Sequence, residues 1–398
     1  MIPATVERRA RWVLDSIGAT ELGFGDDVPY NAAAWDQVER GECPADDDVA
    51  AGFFHLALVE ELDFPADEHG RFSSMFSSLE FLDAPLERLR RRLGLDPPRP
   101  GGARFAVALT HDVDSPWRWT PIGLRGAAAR LKGDVLRLRV RSAVREAAGL
   151  AAAPVHRFRG TDPNWRFEEI VAEERRRGAT GSTFFVLAGH ADPHDGAAPD
   201  TYEELRPRLV ETLLENGAEI GLHGSYTAAD DADRLEQEKA TLEALAGPIS
   251  GHRYHYLRAD PHRNLAPLAS LGFRYDTTLG FPDYIGFRAG IAHPFRPWNF
   301  ERDEPLDLLE IPLAAMDATL ERYMRLSPRR AERKLMQLLD WAAANGGAFA
   351  ILWHPDRFDP LTSGGWDRLY SRVLEGVQER GGVCMSAGDL SSHSTWSK

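Results

Sequence analysis

From Asp162 onward the chain alternates between two apolar patterns, and that alternation constrains the fold more than any other feature. Phe167 to Arg177 has helical spacing, and Gly181 to Leu187 reads as a strand. Tyr202 to Asn216 is a helix closed by Gly217, followed by a strand from Ala218 to Leu222. A helix from Asp230 to Ala246 precedes a strand from Pro248 to Tyr254, and a helix from His262 to Leu271 precedes a strand from Arg274 to Leu279. Leu308 to Met316 reads as a strand, and Pro328 to Asn345 as a helix with proline in its first turn. Phe349 to Trp353, Trp366 to Arg380 and Val383 to Ser386 then give strand, helix and strand. Strands and helices trading places at this spacing form βα units around a parallel sheet. Seven or eight such strands in about 290 residues favour an α/β barrel, irregular in detail, over an open sheet.

The unit that opens this series is Arg104 to Pro116. Phe105 to Leu109 is a short apolar run, as expected of a strand covered on both faces. It ends abruptly in Thr110, His111, Asp112 and Asp114. Two carboxylates one residue apart at the carboxyl end of a barrel strand can divide labour, one binding a metal and one taking a proton. A turn with a helix cap is the competing reading, since Asp and Ser favour both. The other strand ends weigh on that choice. They carry His223, Gly224 and Ser225, then Arg253, His255 and Tyr256, then Asp276, Thr277 and Thr278, then Asp317, and lastly His354 and Asp356. A lone His at a strand end is more often structural. Three His, an Arg and several Asp on one rim point to metal-assisted hydrolysis.

The flanking regions are read from composition. Residues 1–98 form a smaller N-terminal unit, α-rich or α+β, with helical spacing at Val6 to Ile17, Asp46 to Leu62 and Leu86 to Leu95. No site constellation appears in it, and its acidic cluster around Glu60, Glu61, Asp67 and Glu68 reads as a solvated face. A Pro/Gly-rich linker, Asp96 to Gly102, leads into the barrel at 104–392. Residues 117–159 interrupt the first βα unit with an arginine-rich amphipathic insertion. It suits either an anionic membrane or the acidic surface of its own protein. The net charge of −14 argues against a nucleic-acid binder. The two cysteines, Cys43 and Cys384, form neither a metal cluster nor a disulfide framework. Glu7, Arg8, Arg9 and Arg11 stand where a signal peptide needs an apolar core, and no apolar run approaches a membrane span. The expected location is cytoplasmic, free or peripheral to a membrane.

In order and spacing the rim motifs resemble the polysaccharide deacetylase family, carbohydrate esterase family 4, over roughly 104 to 390. His-Asp112-Val-Asp114 is similar to the family's first motif, Gly221-Leu-His223-Gly-Ser225 to the start of its second, and Arg253-Tyr-His255-Tyr256 to its Arg-x-Pro-Tyr. Asp276 is the candidate for the fourth motif, and Leu352-Trp-His354 matches the fifth. The preceding region resembles an N-terminal domain that accompanies some bacterial members. The resemblance implies an irregular (β/α)7 barrel and removal of an N- or O-acetyl group from a sugar or glycan. It implies one divalent metal, zinc foremost, on Asp114 and His223, with Asp112 as base and Arg253 orienting it. It further implies His354 as acid with Asp276 fixing its tautomer, and an oxyanion held by the metal and a backbone N–H.

One departure stands out. Thr227 occupies the position of the family's second metal-binding His. His255, which replaces the motif's Pro, is the candidate third ligand, because residues two apart in a strand point the same way and Arg253 should face the pocket. Asp230 and Asp231 are alternatives that read first as a helix cap. Tyr256, Trp353 and Arg288, with Trp298 and the 286–290 stretch, are candidates to line a sugar groove, core packing being the competing reading for each aromatic. A metal-independent amide hydrolase on the same scaffold and a non-catalytic carbohydrate-binding relative remain as alternatives.

Overall fold

The computed structural model describes residues 2–196 and 198–393. Its strands are β1 (Ala106–Val113), β2 (Thr183–Leu187), β3 (Glu219–Gly224), β4 (Gly251–Tyr254), β5 (Tyr275–Asp276), β6 (Trp298–Asn299), β7 (Glu304–Pro305), β8 (Leu309–Glu310), β9 (Leu313–Met316), β10 (Ala348–Leu352) and β11 (Val383–Met385). All but β6 and β7, which pair with each other, join one parallel sheet ordered β8-β5-β4-β3-β2-β1-β10-β9. β11 adds alongside the first residues of β1. Every residue of β1, β2, β4 and β10 is buried, which is why β2, β10 and the first half of β1 read as apolar runs without alternation.

The sheet curls. Its two end strands, β8 and β9, are separated in the chain by Ile311 and Pro312 alone, so the edges are brought close together. The single strand expected over Leu308 to Met316 is therefore two short ones. Pro312 has no N–H to give a ladder. Its carbonyl instead accepts from the Ala350 N–H at 2.8 Å as the chain passes from one edge to the other. The result is a mixed α/β half-barrel with helices outside. Asp231 and Asp260 cap two of them by accepting from the N–H groups of Arg234 and His262.

The N-terminal region packs on this barrel through a continuous apolar cluster that runs from Val6 and Phe53 to Leu213 and Leu265. Trp12 sits 5.0 Å from Trp298, ring to ring, and its indole N–H donates to the Arg296 carbonyl. A buried ion pair and a buried His–Glu contact cross the same boundary. Arg288 grips Glu61 with two hydrogen bonds of 2.8 and 2.6 Å, and His293 lies 2.7 Å from Glu87.

The insertion forms two helices, Pro121–Leu136 and Val140–Arg159, folded back on each other. Its root is fixed by Asp162, which accepts the N–H groups of Arg118 and Trp119. Val135, Leu136, Leu138, Val140 and Phe158 are all exposed, Phe158 to 92%. No helix among the described residues is long and apolar enough to cross a membrane.

Candidate functional site

The carboxyl ends of β1, β3, β4, β9 and β10 converge on one spot. β1 carries Asp112 to its end and Asp114 just beyond it, while β3 contributes His223. β4 ends at Tyr254, so His255 lies in the turn that follows rather than in the strand. It reaches the site because Tyr256 and Leu257 adopt left-handed backbone conformations, φ 62° and 54°. Each costs roughly 1–2 kcal/mol for a residue with a side chain. Arg71 from the N-terminal region clamps this turn by donating to the Tyr256 carbonyl at 3.1 Å.

Asp114, His223 and His255 each offer one ligand atom to a common point, all within 4.8 Å of one another. Asp114 Oδ1 lies 3.4 Å from His223 Nε2 and 3.5 Å from His255 Nε2. Two donors on a tetrahedral zinc, each bonded at 2.0–2.1 Å, stand about 3.3–3.4 Å apart. The tautomers agree with this use. His223 Nδ1 donates to the Arg253 carbonyl at 2.9 Å, and His255 Nδ1 lies 3.1 Å from Asp195, so both Nε2 atoms face the carboxylate. His223 Nε2 and Asp114 Oδ1 are buried without a protein hydrogen-bond partner. Two lone pairs turned on each other in a buried site suit a cation between them. Burial by itself would push the Asp114 carboxyl up, but His255, His223 and His354 outweigh it and hold it well below the usual range. Burial likewise opposes charge on His255, while Asp114 and Asp195 lift it to about 9.

Asp112 faces the same spot from a fixed position. Its Oδ1 accepts from Arg253 Nη1 at 2.8 Å, and its Oδ2 lies 3.6 Å from His223 Nε2. Arg253 is itself immobilised by the Thr110 hydroxyl, the Thr277 carbonyl and the face of Phe185. Opposite them, His354 Nε2 lies 3.6 Å from Asp114 Oδ2, and its Nδ1 lies 2.6 Å from Asp317. Burial works against a charge on His354, but Asp317 first, then Asp114 and Asp112, lift its pKa to about 10. A cleft of about 620 Å3 opens over these groups, with Arg71, Tyr256, Arg322 and Tyr323 in its walls.

Several sequence expectations are corrected. Asp276 does not touch His354. It lies 2.7 Å from His252 and accepts from Thr278 inside the sheet, because four strands, β4, β3, β2 and β1, separate β5 from β10 and its His354. Asp317, at the end of β9 beside β10, has that place. Arg288 is spent on Glu61, and Trp353 is buried against Trp366 and Tyr370, so neither lines the cleft. Trp298 and the 286–290 stretch pack against the N-terminal region. Asp230 pairs with Arg258 and Asp231 caps a helix, which leaves His255 as the third donor; the Thr227 hydroxyl is buried without a partner. Asp195 was missed. It follows Pro193 in a loop with no strand to flag it, and its Oδ1 also accepts the Tyr226 N–H. The N-terminal region, expected to hold no site residue, supplies Arg71. The only signal was the Asp67-x-x-x-Arg71 spacing of an internal ion pair.

No family model matches the chain, and no curated protein matches it. Among solved structures it is similar to a "putative polysaccharide deacetylase from Mycobacterium smegmatis", with TM-score 0.47 and 19% identity over 74% of this chain and 93% of that one.

Proposed function

We propose that the chain is a divalent-metal hydrolase, zinc foremost, that removes an acetyl group from an amino sugar or glycan, on an irregular (β/α)7 barrel at 104–392 with an N-terminal unit at 1–98. The observation that carries this is the pairing of two orphaned, buried donors, His223 Nε2 and Asp114 Oδ1, with His255 as a third at zinc-like spacing. A cation bound there would polarise the acyl carbonyl and acidify a water. Asp112, oriented by its hydrogen bond from Arg253, takes the proton of the attacking water. His354, kept as imidazolium by Asp317, stands across the site from it and protonates the departing amine. Asp195 keeps His255 Nε2 turned inward. Arg71 and Tyr256 shape the wall that receives the sugar.

The test is metal content together with acetate release. The chain purified under mild conditions should hold about one zinc, and N-acetylated sugars incubated with it should give acetate. Acetate release from a metal-free chain at the same rate would favour a metal-independent hydrolase. Zinc without turnover of any acylated sugar would favour a binding protein. The exposed apolar and basic face of the 121–159 hairpin supports a further proposal, that a cytoplasmic enzyme rests on an anionic membrane through it.

A further inference from the structure

Between the hairpin and the rim lies a second cleft, of about 1160 Å3, larger than the one over the metal site. We infer that it binds the diphosphate of a glycosyl diphosphate, whose acetylated sugar reaches Asp114; this deepens the deacetylase reading and rests on it for the sugar.

The charge is the first observation. Arg118, Arg130, Arg145, Arg322 and Arg357 line the cleft, in a chain of net charge −14. Their neutralisation is incomplete. Glu146 alone serves both Arg118 and Arg130, at 3.1 Å each. Arg357 is matched by Asp317, Asp356 and Glu321. Arg145 and Arg322 have no ion pair or hydrogen bond among the described residues. The Arg145 guanidinium is packed over Gly364, where any Cβ would collide with it. Guanidinium groups short of carboxylates match phosphate oxygens in pairs.

The second observation is continuity. Ser115, Arg322, Asp356 and Arg357 line this cleft and also a pocket of about 400 Å3 that contains Asp112, Asp114 and His354. One ligand can therefore occupy both. Arg322 stands at the junction, on a π-helical turn, Thr319–Tyr323, that directly follows the stretch carrying Asp317. Such turns are rare and are found mostly at functional sites. The outer wall of the cleft is the hairpin itself, with its exposed apolar residues, so a lipid carrier has a surface to follow. A nucleoside carrier offers the same diphosphate.

The test uses the zinc-loaded full chain and two probes, farnesyl diphosphate and uridine diphosphate, with farnesol and uridine as controls. At least one diphosphate should bind more than tenfold tighter than its control, the tighter arm naming the carrier. Arg145→Ala with Arg322→Ala should weaken that binding at least tenfold. Arg322→Glu, on an exposed turn, should do so without a change in thermal melting, and Arg145→Lys should restore part of the loss. Asp114→Asn should change it less than threefold. The inference is overturned if neither diphosphate beats its control, if the arginine variants bind like wild type, or if Asp114→Asn abolishes binding, which would put the phosphates on the metal. A chain that binds diphosphates but releases no acetate loses the deacetylase reading and keeps the cleft; the reverse result does the opposite.

Discussion

Asp195 provides the sharpest test of the metal site, because it touches a proposed ligand and not the metal. It is fully buried, and its Oδ1 takes both the Tyr226 N–H at 2.6 Å and His255 Nδ1 at 3.1 Å. Its Oδ2 accepts the Asp192 N–H at 3.2 Å. In Asp195→Asn one of these three donors must face an NH2 group, and the smaller of the two charges that make His255 basic, after Asp114, is gone. Partners of this kind are worth 10–100-fold in metal affinity, about 1.4–2.7 kcal/mol. The Asn variant keeps an acceptor and should fall near tenfold. Asp195→Ala leaves His255 Nδ1 unpaired in a site where His255 is 4% exposed, adding about 1–3 kcal/mol, so a loss of a hundredfold or more is expected. Competition for zinc against a chromophoric chelator at fixed pH reads both, with Asp230→Asn, which disturbs only the Arg258 pair, as control. Zinc affinity within twofold of wild type in both Asp195 variants would refute the positioning role. The same result in His255→Ala would remove His255 from the ligand set.

Three further outcomes are expected. His354→Ala should lower kcat by about 10²–10⁴-fold with zinc content unchanged, and Asp317→Asn should reproduce part of that loss, measured by acetate release. Glu87, whose burial is outweighed by His293 and Arg90, has a depressed pKa. Its contribution to stability is thus present above the ordinary carboxylate pKa and lost as pH falls through the depressed one; urea midpoints from pH 7 to 3 should fall less steeply in Glu87→Gln than in wild type. Vesicles containing anionic lipid should retain the chain at low salt and release it as salt rises, and Phe158→Ser with Leu138→Ser should weaken retention; equal recovery on neutral vesicles would sink the membrane reading.

The barrel was legible because strands covered on both faces cannot hide in the sequence. The first half of β1 and all of β10 are uninterrupted apolar runs, and the helices between strands carry their caps in plain view. The rim residues followed, since each stands where an apolar run stops. Legibility ended where a side chain's partner lies on a loop or on another strand's far end. Asp317 and Asp276 both end strands in an apolar context, and only strand order, fixed by long-range pairing, decides which one meets His354. His255 was placed on the right spot by a strand argument, but the chain gets it there by a left-handed turn that no local pattern announces. Arg71 belongs to a region whose composition looks like ordinary surface, and its role appears only once that region is laid against the barrel.

The order of strands also bears on how the chain is made. β1 lies in the middle of the sheet, yet the partner on one of its sides, β10, pairs Ala106 with Ala348, and β11 pairs the same residue with Val383. During synthesis β1 emerges early and spends the translation of most of the barrel with one flank open. An apolar strand with an unpaired edge is a template for other chains. Contacts this distant in sequence also form slowly. A nascent chain halted before β10 should therefore be a chaperone client or an aggregate, and the emergence of β10, rather than any local folding step, should set when the site's two halves first meet.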